Sequence, residues 1–502
     1  MFSFSIGRDF LGMVRQLVKC GGLVWVLCWA TISSDVLASS PYYWVADNDF
    51  GNTHYSSPSE ACNEYKTDWY YCVDGMVEPY VDSFLMVGYL YRTVGNGRLG
   101  SITFYRQGDS CRDGEVYNFS SGACGNDEQK GVPPPDSCVG NPINIAVGNK
   151  FQVEVDYQSN TAGGPSFIRS YNSLDALWRQ GYAMYIRFAV GRLSLVQADG
   201  RDFFFDIEGD IVKGFPTEIG TLAKVEDNWL YTSTDNQRYS FDAKGRLTEW
   251  VGSNGLVQTL SYNGNGIAVS GGGGQSFFFT EDSLHQPLSL TADGLSIKYE
   301  YDSNKHLVQL TRTYGARTER RQFHYEDSRN TGLLTGITDE RGIRFATWAY
   351  DEKGRAISSQ HSGGAGLTHV AYNADGSSTV TNELGKTTVY QYQQIGGIKR
   401  VTSIKGEPSA NCPSSNSSYT YNDRGLVLTK TDAKGLITTY SYNDRGLEIS
   451  RTEATGTTLA RTTTTEWDPD RFLPIKVIEP NRITVYSYDN QGRELTRQST
   501  SR

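Results

Sequence analysis

The chain has 502 residues with a formal net charge of −9, and 38% of the residues are hydrophobic. Because this length exceeds what one hydrophobic core supports, we expect about two to four domains. The acidic balance and the lack of a basic run exclude the electrostatic footprint of a nucleic-acid-binding protein, and they disfavour attachment to an anionic membrane surface.

Residues 1–38 have the features of a secretory signal peptide. Basic residues up to Lys19 precede an apolar stretch at residues 21–32, and the Val-Leu-Ala sequence at residues 36–38 fits the cleavage rule. Because this stretch is shorter than the about 20 residues that span a bilayer, we expect cleavage and no stable membrane insertion afterwards. The mature chain is then secreted, or lies at a bacterial cell surface or in the periplasm. An uncleaved anchor or a mis-assigned start is the alternative.

Residues 39–130 are predicted to form a small β module that is rich in cysteine and in aromatic residues. Tyrosine and tryptophan cluster at residues 42–44 and 69–71. These rings either form the core of the module or lie exposed as platforms for a sugar. A proline-rich linker at residues 131–138 ends the module, because polyproline is stiff and does not continue a strand ladder.

Six cysteines follow the predicted signal peptide, and an even number in an exported chain favours disulfides. They are Cys62, Cys72, Cys111, Cys124, Cys138 and Cys412. Proximity in the sequence favours bridges between the first and second and between the third and fourth, which leaves the fifth and sixth as a long-range pair. The connectivity stays open, because six cysteines allow many pairings. A zinc site is disfavoured, since no Cys-x-x-Cys pair occurs and no histidine lies near a cysteine cluster.

From residue 236 to residue 502 one unit recurs. In its clearest copies a Tyr-x-Tyr strand end leads into an Asx-x-x-Gly turn, and glycines follow one another at Gly425, Gly435 and Gly446. An Asp or Asn at the first turn position bonds the backbone two residues on, and a Gly at the fourth takes a positive φ without steric cost. This pattern predicts a type I turn closed by a G1 bulge, which joins two antiparallel strands.

The turn positions that carry this pattern are Asp242, Gly245, Asp351, Gly354, Asn422, Gly425, Asp432, Gly435, Asn443, Gly446, Asp489 and Gly492. Because a unit of about 21 residues holds two strands of about six or seven residues and two turns, it is an antiparallel meander. Such units cannot bury their apolar faces alone and must stack edge to edge. We therefore predict an all-β fold in which tandem meanders form a large curved, shell-like sheet.

The pattern Tyr-Asp-x-x-Gly-Arg-Leu at this period resembles the YD repeat of RHS-repeat proteins, a family that includes bacterial polymorphic toxins, insecticidal toxin-complex shell subunits and animal teneurins. Residues 140–150 (GNPINIAVGNK) and 167–173 (FIRSYNS) resemble the domain that precedes the repeats in bacterial members, which we place at residues 139–235. The resemblance implies a sheet that wraps into a hollow shell around a cargo polypeptide. Since about a dozen turn landmarks are too few to close such a shell, we expect an open sheet with an exposed terminal edge.

No catalytic, cofactor-binding or metal-binding constellation stands out in the sequence. There is no His-Glu-x-x-His or Gly-x-Ser-x-Gly motif, and the Gly-Lys-Thr at residues 385–387 lacks the first glycine of a P-loop. Many toxins of the resembled family end their shell with a self-cleaving Asp-Pro-x-Gly motif, whereas residues 467–470 read Trp-Asp-Pro-Asp. We therefore expect neither autoproteolysis nor a C-terminal toxin domain. A carboxylate pair for glycoside hydrolysis stays open from the sequence.

The leading hypothesis is an exported, non-enzymatic scaffold that forms the front part of a toxin-type shell. Its partner would be a polypeptide, either cargo or a downstream RHS or toxin segment. The alternative is a secreted cell-surface carbohydrate-binding protein that grips a glycan with its tyrosine-rich face and its N-terminal module. A hydrolase with an unrecognised site is a third hypothesis. We expect no cofactor, metal or nucleic acid as a partner.

Overall fold

The computed structural model describes residues 43–47, 53–67, 69–73, 77–80, 83–95, 97–107, 116–118, 123–125, 129–161, 163–189, 192–209, 211–406 and 416–502. The predicted signal peptide, Cys111 and Cys412 lie outside these residues. Across the described ranges, helices are so short or so polar that none could cross a membrane.

The N-terminal module combines one helix with a five-stranded antiparallel sheet, whereas the sequence predicted strands only. The helix follows Ser57, whose hydroxyl accepts a hydrogen bond from the backbone N–H of Glu60 at 3.0 Å, and Pro58 occupies its first turn. The strand order is β1-β5-β4-β2, with β3 paired to β4. The elements are β1 (Tyr43–Ala46), α1 (Pro58–Glu64), β2 (Tyr70–Val73), β3 (Val77–Tyr80), β4 (Ser83–Arg92) and β5 (Arg98–Gln107).

A disulfide and a small aromatic core hold this module together. The predicted bridge between Cys62 and Cys72 is formed and ties α1 to β2. Trp44 and Phe104 are buried in the core, whereas Trp69 is 82% exposed. The clustered aromatic residues therefore divide between a core role and an exposed one. A separate short hairpin follows, made of β6 (Val116–Asn118) and β7 (Ala123–Gly125).

Two further antiparallel sheets precede the repeats, and we call them the pre-repeat sheets. The first has the order β12-β11-β10-β9-β8 and the second the order β13-β14-β15-β16. Their strands are rich in aromatic and β-branched residues, which suit a pleated and half-buried surface. The strands are β8 (Cys138–Val139), β9 (Ile143–Asn144), β10 (Asn149–Gln158), β11 (Ser166–Asn172), β12 (Trp178–Gln180), β13 (Tyr185–Ala189), β14 (Arg192–Val196), β15 (Asp202–Glu208) and β16 (Ile211–Gly214).

All later strands belong to one antiparallel sheet of 26 strands that pair in sequence order, and we call this sheet the strip. It begins at Thr221, ahead of residue 236, where the repeat becomes visible in the sequence. The strands are β17 (Thr221–Val225), β18 (Asn228–Thr232), β19 (Arg238–Phe241), β20 (Leu247–Val251), β21 (Val257–Asn263), β22 (Gly266–Ser270), β23 (Ser276–Glu281), β24 (Pro287–Ala292), β25 (Leu295–Tyr301), β26 (Leu307–Tyr314), β27 (Arg317–His324), β28 (Gly336–Thr338), β29 (Arg344–Tyr350), β30 (Ala356–His361), β31 (Thr368–Tyr372), β32 (Ser378–Thr381), β33 (Thr387–Ile395), β34 (Ile398–Gly406), β35 (Ser417–Tyr421), β36 (Val427–Thr431), β37 (Ile437–Tyr442), β38 (Glu448–Glu453), β39 (Arg461–Trp467), β40 (Pro474–Glu479), β41 (Arg482–Tyr488) and β42 (Glu494–Ser501). Two 3-10 turns, Gly272–Gly274 and Ser362–Gly364, interrupt it.

One face of the strip packs on the pre-repeat sheets through aromatic rings. The ring of Phe167 lies edge-on to those of Phe277 and Phe279, with centroids 5.6 and 5.2 Å apart. Trp178 meets Phe323 at 5.0 Å in the same orientation. Such pairs contribute about 0.5–1.5 kcal/mol each beyond the burial of their area. The two parts of the chain therefore share one hydrophobic core.

A buried ionic network lies in the same interface. Arg169 is fully buried and pairs with Asp156, whose carboxylate also accepts the hydroxyl of Tyr299 at 2.7 Å. Nearby, Arg321 of the strip pairs with Glu154 of β10. Because removal of one member of a buried pair costs about 3–5 kcal/mol, the network fixes which strands of the strip the pre-repeat sheets contact.

The tyrosine that ends a repeat strand ties that strand to the one before it. Its hydroxyl donates to a backbone carbonyl of the preceding strand or of the segment that leads into it. Each such bond contributes about 0.5–1.5 kcal/mol. With donor–acceptor distances of 2.5 to 2.8 Å, these tyrosines are Tyr262, Tyr301, Tyr350, Tyr372, Tyr421, Tyr442 and Tyr488.

The strip winds until its last turns meet its first ones. Strands about 4.8 Å apart would spread 26 of them over roughly 120 Å if the sheet were flat. Instead, Nη2 of Arg238 lies 3.4 Å from the carbonyl oxygen of Gln491. As predicted, the sheet is open, because β17 and β42 do not pair and every residue of β42 is exposed. The number of turns visible in the sequence did not predict that the first and last turns of the open strip would come into contact.

A tyrosine-to-phenylalanine variant tests the cross-strand hydroxyl bond. Tyr350 is 3% exposed and donates to the carbonyl of Leu334 at 2.7 Å. Because Tyr350→Phe leaves this carbonyl without that donor, we expect the free energy of unfolding to fall by about 1–2 kcal/mol. Tyr314→Phe, at a tyrosine that is 63% exposed, should change it by less than about 0.5 kcal/mol. Urea denaturation followed by tryptophan fluorescence measures both, and equal midpoints for the two variants would contradict the assignment.

Candidate functional site

The Asx-x-x-Gly turns have the predicted geometry. In the turn that starts at Asp351, Oδ1 accepts hydrogen bonds from the backbone N–H groups of Lys353 and Arg355, both at 2.9 Å. The register also slips beside it, between Ala349 and Tyr350, where β30 carries one extra residue. At the predicted glycines φ lies between 73° and 83°; these are Gly245, Gly354, Gly425, Gly435, Gly446 and Gly492. They close turns that begin at Asp242, Asp351, Asn422, Asp432, Asn443 and Asp489.

Three turns carry a residue other than glycine at the fourth position. Asn236, His285 and Lys305 have φ values of 60°, 60° and 67° there. Asp302 still caps its turn, because its Oδ1 accepts the backbone N–H of His306 at 2.9 Å. A sequence pattern that requires glycine at the fourth position does not match these turns. In the turn that starts at Asp302, the Asp and its spacing from the next strand are still visible in the sequence.

Arginines in late turns join neighbouring turns along one rim of the strip, a role that the sequence analysis did not assign. In each case Nη1 donates to the backbone carbonyl of the next turn on that rim. The pairs are Arg424–Asp444 (2.8 Å), Arg445–Asp468 (2.7 Å) and Arg471–Asp489 (2.8 Å). Because a charged donor makes such bonds stronger than neutral ones, this chain of contacts stiffens the rim.

We call the strip face that carries the repeat tyrosines the inner face. In the first half of the strip this face packs on the pre-repeat sheets, where Tyr350 is buried and burial raises the pKa of its hydroxyl. The shared core extends along the strip only as far as Tyr390. Before that point, partly exposed repeat tyrosines such as Tyr372 pack against this core, whereas the equivalent residues Tyr421, Tyr442 and Tyr488 are partly exposed and lie outside it. The second half of the inner face therefore offers tyrosine rings that no core residue covers within the described part of the chain.

We call the place where late turns meet the loop at residues 215–220 the seam. Nε of Arg424 donates to the carbonyl of Pro216 at 3.0 Å. Gly446 lies so close to Ile219 that a Cβ on this glycine would come within 2.6 Å of the Ile219 side chain. Glycine is required at this turn both for its positive φ and for the approach of the loop. The seam thus holds the winding of the strip through a few local contacts.

A cavity of about 470 Å³ lies beside the seam, and Glu218 forms part of its wall. Oε1 of Glu218 accepts hydrogen bonds from the backbone N–H of Gly220 at 2.6 Å and from the hydroxyl of Tyr231 at 3.2 Å. Burial raises the pKa of the Glu218 carboxyl to about 7, and burial also raises the pKa of the Tyr231 hydroxyl. The loop that closes the seam therefore carries a carboxyl group that titrates near neutral pH. Nothing in its local sequence indicated this.

The remaining predicted site residues are the cysteines. Cys138 has a free thiol in β8, where burial raises its pKa and the charge that acts on it is that of Lys150 in β10. The predicted bridge to Cys412 is therefore not seen, and Cys412 lies outside the described residues. Cys124 lies in β7, but its predicted partner Cys111 is also outside them, so that bridge stays a prediction. In the described ranges no group of three or more His, Cys, Asp or Glu residues is placed to hold a metal ion.

Family models match two parts of the chain. Residues 421–458, which contain three of the turns described above, match the RHS repeat, and residues 140–205 match a domain of unknown function, DUF6531. Residues 421–458 thus form an RHS repeat. This repeat lies in the strip, and the matched domain lies in the pre-repeat sheets. No curated protein matches the chain.

Solved structures that resemble the chain include toxin complexes. The crystal structure of TcdB2-TccC3 has 12% identity over 86% of this chain and 33% of that chain, with a TM-score of 0.36. The same pair without its hypervariable C-terminal region has 11% identity over 86% and 27%, with a TM-score of 0.37. The Tc holotoxin pore of Photorhabdus luminescens has 11% identity over 84% and 23%, with a TM-score of 0.27. The present chain spans about a third or less of the length of each of these chains.

The turn carboxylates can be tested by separating their acceptor role from their charge. Oδ1 of Asp432 accepts the N–H groups of Lys434 at 2.8 Å and Leu436 at 2.9 Å. Because Asn422 and Asn443 occupy the same position in neighbouring turns, we expect Asp432→Asn to change the free energy of unfolding by less than about 0.5 kcal/mol. Asp432→Ala removes the acceptor and should lower it by about 1–2 kcal/mol. Equilibrium denaturation decides, and an equal loss in both variants would show that the charge matters instead.

The carboxyl of Glu218 predicts a pH dependence of stability. Its pKa is raised by burial from 4.5 to about 7, so the folded chain retains between these values a proton that the unfolded chain releases. The stability from this group is fully present below about pH 4.5 and is lost as the pH rises through about 7, by up to about 3 kcal/mol. Glu218→Gln should remove this slope. Urea midpoints at pH 5, 6, 7 and 8 measure it, and parallel curves for the variant and the natural chain would refute the assignment.

Proposed function

We propose that this chain is a non-enzymatic scaffold whose wound RHS-repeat strip encloses a polypeptide against its inner face. The observation that carries the proposal is the contrast between the two halves of that face. Up to Tyr390 the repeat tyrosines pack against the core that the strip shares with the pre-repeat sheets, while the equivalent tyrosines further along lie outside that core and point to the same side of the strip.

Tyrosine suits such a surface because its ring packs on apolar groups of many shapes while its hydroxyl stays hydrogen-bonded. In this strip the hydroxyls of Tyr421 and Tyr442 are already engaged by backbone carbonyls, at 2.5 and 2.7 Å. The rings therefore present a surface with few unsatisfied polar groups. An unfolded segment can contact it without a specific sequence.

The repeated carboxylates support a structural role over a catalytic one. Although partial burial alone would raise the pKa of Asp351, hydrogen bonds from Arg355 and Lys353 outweigh it and lower this pKa. The same balance lowers the pKa of Asp242, where Arg246 is the partner. A carboxylate held ionised by its own turn is poorly suited to act as a general acid at neutral pH.

We further propose that the chain acts outside the reducing interior of the cell. The predicted signal peptide at residues 1–38 supports export, and the Cys62–Cys72 bridge fits an oxidising compartment. The carbohydrate-binding alternative stays a prediction, with the exposed ring of Trp69 as its only support in the described structure.

Photo-crosslinking to a fused reporter tests the enclosure. An unfolded reporter polypeptide is fused after Arg502, and a photoreactive residue replaces either Tyr440 or Ser441. These neighbours lie in β37, so their side chains point to opposite faces of the strip, with Tyr440 on the side of Tyr442. We expect crosslinks to the reporter from position 440 and few from position 441. The reporter should also resist protease longer than the same reporter free in solution.

Two results would defeat the proposal. One is crosslinking of equal strength from both positions, which would mean that the reporter does not prefer the inner face. The other is a reporter that is degraded as fast in the fusion as in solution. A glycan that protects position 440 from crosslinking would favour the carbohydrate-binding alternative instead.

A further inference from the structure

The cavity beside the seam is built from segments that lie far apart in the chain. Its walls come from the linker before β8, the loop at residues 215–219, the turn at residues 233–237 and the tip of the β33–β34 hairpin at residues 396–400. The hairpin tip is held there by Gln129, whose side-chain oxygen accepts the backbone N–H of Lys399 at 2.9 Å. The cavity therefore exists only in the wound strip.

The positive charges of the basic residues that line the cavity are balanced by acidic residues that do not line it. Lys130 forms an ion pair with Asp175 at 3.4 Å, and Arg201 pairs with Asp199 at 2.9 Å. The charge of Arg400 acts on Asp136, where it opposes the rise in pKa that burial causes. These three acids do not line the cavity.

The acids that do line the cavity form no ion pair with the described residues. They are Asp202, Glu218 and Asp235. Their oxygens accept hydrogen bonds from neutral donors: Ser194 for the first, Gly220 and Tyr231 for the second, and Ser233 and Gln237 for the third. No lysine or arginine nitrogen in the described ranges lies within 4.0 Å of these carboxyl groups. Three carboxyl groups of the cavity wall are thus without a direct ion-pair partner in the described part of the chain, although the charge of Arg201 acts on Glu218 and that of Arg179 on Asp202.

Two further features of the lining point to an organic ligand. Phe203, Phe215, Tyr231 and Tyr239 line the cavity, and aromatic rings attract alkylammonium groups. Gln197 also lines it, is only 8% exposed, and has a side-chain Nε2 without a hydrogen-bond acceptor in the described structure. Because buried donors are normally hydrogen-bonded, this N–H group favours a ligand that supplies an acceptor, such as a peptide carbonyl.

We propose that this cavity binds a peptide through a lysine side chain, with the ammonium group between Glu218 and Asp235 and a backbone carbonyl on Nε2 of Gln197. This proposal does not depend on the enclosure of a polypeptide by the inner face, since the cavity has its own walls. The bound lysine would supply a counter-ion to the carboxyl groups of the cavity, and its carbonyl would accept a hydrogen bond from the buried amide of Gln197. A free alkylamine shares the ammonium chemistry but has no carbonyl.

The ionisation of Glu218 supports the assignment. Because burial raises the pKa of this carboxyl to about 7, it is largely neutral at pH 6 and largely ionised at pH 8. The other charged groups that face it are Arg201 and Asp202 from the second pre-repeat sheet, Asp235 from the turn after β18, Arg400 from β34 and Lys130 from the linker. A bound ammonium group favours the ionised form, so binding should release protons near neutral pH.

Calorimetric titration of the full chain tests the proposal with three probes. They are Nα-acetyl-lysine N-methylamide, the matching norleucine derivative, and n-butylammonium. We expect the lysine derivative to bind, with an affinity on the order of tenfold higher at pH 8 than at pH 6. Its affinity should exceed that of both other probes by a similar factor. No binding of the lysine derivative would overturn the proposal. Equal binding of the norleucine derivative would overturn the cationic part, and equal binding of n-butylammonium would overturn the peptide part.

Variants separate recognition from stability. Glu218→Gln and Asp235→Asn should weaken binding of the lysine derivative, and Glu218→Gln should also remove its dependence on pH. Asp227→Asn, in an exposed turn of the same strip, serves as the matched control and should leave binding unchanged. Gln197→Met should reduce the affinity for the lysine derivative to the affinity for n-butylammonium. Variants that unfold at the same urea concentration as the natural chain but bind the probe equally well would refute the assigned roles.

Discussion

The structure of this molecule depends on one kind of turn. In this turn a single carboxylate or amide oxygen accepts two backbone N–H groups, and a residue with positive φ follows. At Asp351 and at Asn422 this oxygen closes a turn beside a bulge in the adjoining strand pair. A bulge increases the local right-handed twist of a strand. Because the strip repeats this device along 26 strands, small rotations accumulate and the sheet winds until its rims meet.

A wound sheet still has two faces, and the chain treats its inner face differently along its length. In the first half, Phe167 and Trp178 of the pre-repeat sheets fill it, and the buried pair of Arg169 and Asp156 sets their position. In the second half, repeat tyrosines of the same kind lie outside the shared core. One repeated sequence element therefore serves as core in one place and as surface in another, according to what the winding brings opposite it.

The contacts that hold the winding are few and polar. Arg424 bonds both the next turn on its rim and the loop at Pro216, and Arg238 reaches the last turn of the strip. Glu218 lies in the same loop, where burial has raised its pKa. A seam of this kind can respond to the proton concentration and to a ligand in the neighbouring cavity. A sheet closed by strand pairing would instead be held by a continuous ladder of hydrogen bonds.

Local chemistry in the sequence determined the turns, the meander, the all-β class and the Cys62–Cys72 bridge, because each depends on residues a few positions apart. The turn at His285 escaped prediction because its fourth residue is not glycine. Tertiary structure alone decided the contact of Arg238 with Gln491, the burial of Glu218, and which tyrosines are covered. These depend on residues up to some 250 positions apart in the chain, brought together by the summed twist of many strands, and such a sum leaves no pattern at any single position.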